Sequence, residues 1–157
     1  MGQPSLLQQV KYVQALVPVA DFTAGDVETD IFSMKNWSSI TFFVFKGAGG
    51  VGVTTATIEA CDDVDASNVT AIAFRYSSNT ATDVIGDLTN ALAAGVSITA
   101  GANQIWAFTV NADELVSNRE FVRLVLTETE STAVTGCVLA ILSGGRDQGD
   151  DLVTVIA

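Results

Sequence analysis

The residues with the best spacing for chemistry are the glycines after the strand-like run Ile40–Phe45. Lys46-Gly47-Ala48-Gly49-Gly50-Val51-Gly52-Val53-Thr54-Thr55 contains a formal G-x-G-x-x-G at Gly47, Gly49 and Gly52. Such a loop holds phosphate when its N–H groups converge at a helix N-terminus and a lysine neutralises the charge. Here Val53 occupies the lysine's place, and the following residues are β-branched. The string therefore predicts a flexible hairpin loop and no nucleotide site. Asp63-Val64-Asp65-Ala66-Ser67 offers the alternating oxygens with which a calcium loop opens. However, Asn68 stands where the turn glycine belongs, and Phe74 where the bidentate glutamate belongs. It reads as a solvated acidic turn. Asp147, Asp150 and Asp151, set among Gly144, Gly145 and Gly149, read in the same way.

The chain has no histidine, and with it go the commonest general base and the commonest metal ligand. Carboxylates in turns keep ordinary acidities and suit neither acid catalysis nor glycoside cleavage. Cys61 and Cys137 sit far apart among apolar neighbours and read as buried thiols in preference to a disulfide. The expectation is a non-enzyme with no catalytic, cofactor or metal site.

The charge balance narrows the partners. Seven basic residues are scattered singly against eighteen acidic ones, for a net charge of -11, so phosphate backbones and anionic lipid surfaces would repel the chain. Neither nucleic acid nor membrane is an expected partner. Hydrophobic residues reach 48% against 16% charged, more apolar material than one solvated domain has to hide. The N-terminus carries no secretory signal and no run is long enough to span a bilayer, so manufacture in a host cytoplasm is expected.

The elements that must carry these residues are strands. Val10–Val19 alternates with period two, with Pro18 placing it at a sheet edge or strand end. Val27–Phe32 pairs briefly, and Ser39–Phe45 followed by Val53–Ala60 suggests a hairpin. Thr70–Tyr76 reads as one strand. Val84, Ile85, Leu88 and Leu92 fit a short amphipathic helix that Thr82 could cap, although Gly86 weakens it. Gln104–Val110 follows as a core strand, Asn111–Leu115 as one helical turn, then strands over Phe121–Thr127, Val134–Leu142 and Leu152–Ile156. About seven or eight short strands with turn signals at roughly ten-residue intervals predict an all-β antiparallel sandwich, jelly-roll-like, with at most one or two short helical turns. No linker divides residues 1–157, which read as one domain with residues 1–12 as an extended N-terminal arm.

Two strands are apolar on both faces. In Ile40–Phe45, Phe43 and Phe45 oppose Ile40, Phe42 and Val44, and Val134–Leu142 is equally two-sided. A sandwich buries one face of each sheet, so the surplus predicts a covered outer face. Tyr12, Val13, Leu16 and Val17 on the terminal strand, with Phe43 and Phe45, are the candidate protein-interface residues. Self-association into a homo-oligomer is expected from them.

The run from Ile105 to Arg146 resembles accessory virion proteins of tailed bacteriophages, of the head-decoration or capsid-cement kind. The carrying residues are Ile105-Trp106-Ala107, Ala112-Asp113-Glu114-Leu115, Phe121-Val122-Arg123-Leu124 and Val138–Leu142, ending at Gly144-Gly145-Arg146. The resemblance implies a β-sandwich on the capsid surface of the virion that bridges subunits of the major capsid protein. The alternatives are a carbohydrate- or receptor-binding sandwich of a phage fibre or bacterial surface, and a tail structural protein.

Overall fold

The computed structural model of the chain describes residues 5–49, 51–81, 83–116, 118–130 and 132–145. One helical turn, α1 (Leu6–Gln9), leads into β1 (Val10–Val19), followed by β2 (Asp26–Glu28), β3 (Phe32–Ser33), β4 (Trp37–Lys46) and β5 (Val53–Cys61). Then come β6 (Val69–Ile72), β7 (Phe74–Asn79), β8 (Thr89–Ala91), β9 (Val96–Ile98) and β10 (Gln104–Asn111). A 3-10 turn (Ala112–Glu114), β11 (Phe121–Glu130) and β12 (Gly136–Gly145) complete the order. Of the stretch 1–12, the described residues are Ser5, which caps α1, then α1 itself and the start of β1.

These strands form two antiparallel sheets. The first runs β1-β12-β4-β10-β7-β8; the second runs β2-β11-β5-β6, with β3 also on β11 and β9 also on β5. The all-β sandwich expected from the sequence is the fold observed. The strand number exceeds expectation because β2, β3, β8 and β9 are only two or three residues long and too short to show a period. The predicted last strand Leu152–Ile156 and the acidic residues Asp147, Asp150 and Asp151 lie outside the described residues.

The core lies between the sheets. Strand alternation sends Ile40, Phe42 and Val44 of β4 and Trp106, Phe108 and Val110 of β10 inward, against Ile58 of β5 and Val122, Leu124 and Leu126 of β11, all buried. Phe32 meets Phe42 edge-on, with ring centroids 5.7 Å apart, and Phe74 meets Phe108 at 5.9 Å. Both pairs have the geometry in which a positive ring edge faces a negative ring face. One inward group is mismatched. Thr54 is buried in β5 and its Oγ1 has no protein partner. Thr54→Val keeps the shape and removes a desolvated hydroxyl, so it should stabilise the fold by about 1 kcal/mol in urea titration.

Three sequence expectations are corrected. The hairpin between Ile40–Phe45 and Val53–Ala60 does not form, since β4 lies in the first sheet and β5 in the second. Both sides of β4 are taken by β12 and β10, and the glycine loop crosses between sheets. It is held there, because Gly47 N donates to Thr135 O at 2.7 Å and Thr135 N donates to Ala48 O at 3.0 Å. A Cβ on Gly49, whose φ is +106°, would lie 2.2 Å from Ala133 O, so close backbone approach explains the glycines that mimic a phosphate loop.

Thr70–Tyr76 is not one strand. The chain changes sheets between β6 and β7, with Ile72 and Phe74 both buried and Ala73 exposed between them. The helix expected around Val84–Leu92 is also absent. Gly86 N donates to Ser78 O at 2.8 Å, Ser77 Oγ donates to Gly86 O at 2.6 Å, and β8 pairs with β7. Val84, Ile85, Leu88 and Leu92 are all exposed, so their helix-like spacing buries no face. Thr82, the expected cap, lies outside the described residues.

Candidate functional site

Residues singled out for chemistry are occupied by structural work. Val53 opens β5, so a strand follows the glycine loop. Lys46, the nearest cation to that loop, is 2% exposed and turned inward, where Nζ donates to Gly52 O at 2.6 Å and Thr99 O at 2.8 Å. Burial pushes its ammonium below the ordinary lysine range. In the acidic turn, Asp63 Oδ1 accepts from the N–H groups of Ser67 at 3.0 Å and Asp65 at 3.1 Å. These bonds, Ser67's first, hold the carboxyl below its usual range. Asp21 is lowered likewise, chiefly by the Thr23 hydroxyl at 2.9 Å. General acids need the opposite shift.

Both cysteines are free thiols. Cys61 is buried, and burial raises its pKa. Cys137 is only half-buried, because it faces outward from β12. Among the described residues no cluster of three or more His, Cys, Asp or Glu could hold a metal ion. No helix among them is long and apolar enough to cross a membrane, which leaves membrane-crossing strands unaddressed.

What the fold does assemble is an apolar sheet face. Because β12 inserts between β1 and β4, the two strands apolar on both sides become neighbours. Their register builds rows across the outer face of the first sheet. Gln14, Leu139, Phe43, Ala107 and Ser77 lie in one row, and Cys137, Phe45, Ile105 and Asn79 in the next. A third row carries Tyr12, Ile141, Thr41, Thr109 and Arg75. Phe45 is 36% exposed, Ile105 38% and Tyr12 59%, whereas Leu139, Phe43 and Ile141 are screened by their neighbours in the sheet. At the loop end of this face lies an open depression of about 650 Å³, bordered by Pro18, Val19, Phe45, Ile105, Gly136 and Cys137.

The charge on the two sheets differs sharply. No strand of the first sheet contains an aspartate or glutamate. The second sheet carries Asp26, Glu28, Glu59, Glu128 and Glu130. There Arg123 of β11 bridges Glu28 at 2.5 Å and Glu59 at 2.8 Å. On the first sheet's outer rows the single charge is Arg75, at the far side and paired with Glu114 at 2.7 Å. In a chain with eighteen carboxylates, an entire sheet without one is a surface that can be dried at small electrostatic cost.

Of the candidate interface residues, the structure places Tyr12, Phe43 and Phe45 together on this face, and Val17 beside it, exposed. Val13 and Leu16 pair with the buried Ala140 and Val138 and pack against the core. Sequence reasoning did not name Ile105, Leu139, Ile141 and Cys137. Leu139 and Ile141 lie in the run with two apolar faces, and Ile105 alternates with Trp106; the missing information was which strands are neighbours.

No family model and no curated protein matches the chain. The fold is similar to that in the crystal structure of the SPBc2 prophage-derived protein YomS, with a TM-score of 0.50 and 14% identity. The match spans 86% of this chain and 93% of that one. A looser overlap with the structure of infectious bursal disease virus Gx strain covers 85% of this chain and 40% of that chain. Its TM-score is 0.25 at 14% identity, and it carries no argument. The likeness to YomS is one of fold.

Proposed function

We propose that this chain is a structural protein of a tailed-bacteriophage virion that decorates the capsid, and that its product is binding energy and not a chemical transformation. The observation that carries this reading is the apolar outer face of the first sheet, whose strands contain no carboxylate. A face of this breadth left open to water is a liability in an isolated domain and an asset in a subunit built into an assembly. The prophage origin of YomS, which has a similar fold, supports the virus-associated part, as does the resemblance of Ile105–Arg146 to decoration proteins.

The mechanism is mass action. A protein that binds the assembled shell and not its dissociated subunits stabilises the shell by RT ln(1 + [L]/Kd), about 2.7 kcal/mol per site at a hundredfold excess over Kd. Many copies make rupture improbable without any single strong contact. Sedimentation with capsids of the encoding phage tests this: the purified chain should travel with assembled shells, stay behind with free coat protein, and raise the temperature at which shells release DNA. Absence from the shell fraction at saturating protein would sink the decoration role.

A further inference from the structure

We infer that the outer face of the first sheet, β1-β12-β4-β10-β7-β8, pairs with the same face of a second copy of this chain, making a two-fold dimer that is the unit of assembly. The inference rests on the reading of that face as an assembly surface and names its occupant. Charge selects the occupant. A cationic partner would gain most from the acidic second sheet, where Asp26, Glu28, Glu59, Glu128 and Glu130 lie. Two copies each carrying a net charge of -11 repel over most of their surfaces. The first sheet, whose strands carry none and whose one bordering carboxylate, Glu114, is already paired with Arg75, lets them approach at the smallest electrostatic cost. Self-pairing of that sheet keeps the cost small on both sides at once, because a two-fold contact uses the same patch twice.

Area is sufficient. The strands β1, β12 and β4 with 10 residues each, β10 with 8 and β7 with 6, at ~4.8 Å spacing and ~3.3 Å rise, give a face of roughly 700 Å² per copy, or about 1,400 Å² in total. Specific interfaces begin near ~1,200 Å². The centre, with Phe43, Phe45, Ile105, Leu139 and Ile141, supplies aromatic and branched anchors. Ser77, Asn79, Thr109 and Gln14 supply a polar rim.

Pairing through the sheet edge is the competing geometry, and β1 is built against it. That edge strand carries Lys11, Pro18 and two register shifts, between Gln14 and Leu16 and between Leu16 and Val19. Bulges, proline and lysine are the devices that blunt an edge. The face beside it has no such protection.

Light scattering on a sizing column reads the result directly. Wild type at tens of micromolar should give twice the chain mass of 16.4 kDa, and Phe45→Asp and Ile105→Lys should each return it to one chain mass. Phe45 and Ile105 are exposed enough to accept a charge without opening the core, and circular dichroism identifies any variant that has lost its strands. Mixing Phe45→Asp with Phe45→Lys should restore the dimer, a rescue that a folding defect cannot produce. A monomeric wild type overturns the inference, as does a dimer that withstands folded Phe45→Asp and Ile105→Lys. The capsid assay separates this outcome from the functional reading. Dimers that ignore shells leave self-pairing standing and remove decoration. Monomers that bind shells, and lose them with Phe45→Asp, keep decoration and overturn self-pairing.

Discussion

Phe42→Ala should lower the free energy of unfolding by about 3 to 5 kcal/mol, a large part of the ~5–15 kcal/mol that holds a domain of this size. Phe42 is fully buried in the middle of β4, where it packs edge-on against Phe32. In register beside it are Phe108 on one neighbouring strand and Ala140 on the other. The methyl group of Ala140 is too short to fill the space left by the ring, and Phe108 is engaged with Phe74. The cavity therefore persists, and its cost adds to the lost transfer energy. Equilibrium guanidinium unfolding would measure it, with Phe43→Ala as the control one residue along. Phe43 faces the other way and is half-buried, so its loss should cost about 1 kcal/mol. Equal effects at the two positions would contradict the assignment of faces from which the assembly surface is derived.

Lys46→Met should cost about 2 to 3 kcal/mol. The lysine joins the crossover loop, through Gly52 O, to the segment after β9, through Thr99 O. Methionine keeps the apolar stem and deletes both donors. Gly52 is buried, so its carbonyl has no ready replacement, whereas the exposed Thr99 can turn toward water. Neither bond is to a carboxylate, so the loss should be nearly the same at 0.05 M and ~1 M salt, unlike that of an ion pair. The pH dependence follows from burial, which holds the folded-state pKa below the ordinary 10.5. Between the two values the unfolded chain binds more protons than the folded one, so wild-type stability rises with pH through that window. Lys46→Met lacks the proton, and its deficit should widen on the approach to pH 10.5.

The sequence displays strands more readily than it displays their neighbours. Period-two alternation in Ile40–Phe45, Gln104–Val110 and Phe121–Thr127 is a local property, imposed by side chains that leave a pleated backbone on opposite sides. It placed β4, β10 and β11 within a residue or two at their starts. Pairing is not local. Val10 meets Ser143 and Lys46 meets both Gly136 and Gln104, and no feature of these residues names its partner at that distance. The hairpin expectation failed for this reason, since Gly47–Gly52 offers turn chemistry that serves a sheet crossover equally well. The candidate site shares this limit. The surplus of apolar strand faces was legible as soon as Phe43 and Phe45 were read against Phe42 and Val44. Its extent was not, because Ile105 and Leu139 join the face only through the order β12-β4-β10. The charge asymmetry between the sheets is hidden likewise, although every carboxylate is visible in the sequence.

The position of β12 between β1 and β4 sets a clock on biosynthesis. A ribosome releases the chain from its N-terminus, so β1 and β4 emerge long before the strand that separates and joins them. Until β12 arrives β1 has no partner in its sheet, and β4 can be paired along one edge only, by β10. The first sheet closes only when residues 136–145 have left the exit tunnel, and folding is a late event gated by long loop closures. A nascent chain stalled before Gly136 should be held by chaperones or lost to aggregation, while one stalled on an added linker long enough to bring Gly145 out of the tunnel is free to close. The contact that completes the assembly face is also the last to be translated among the described strands, so incomplete chains cannot present it.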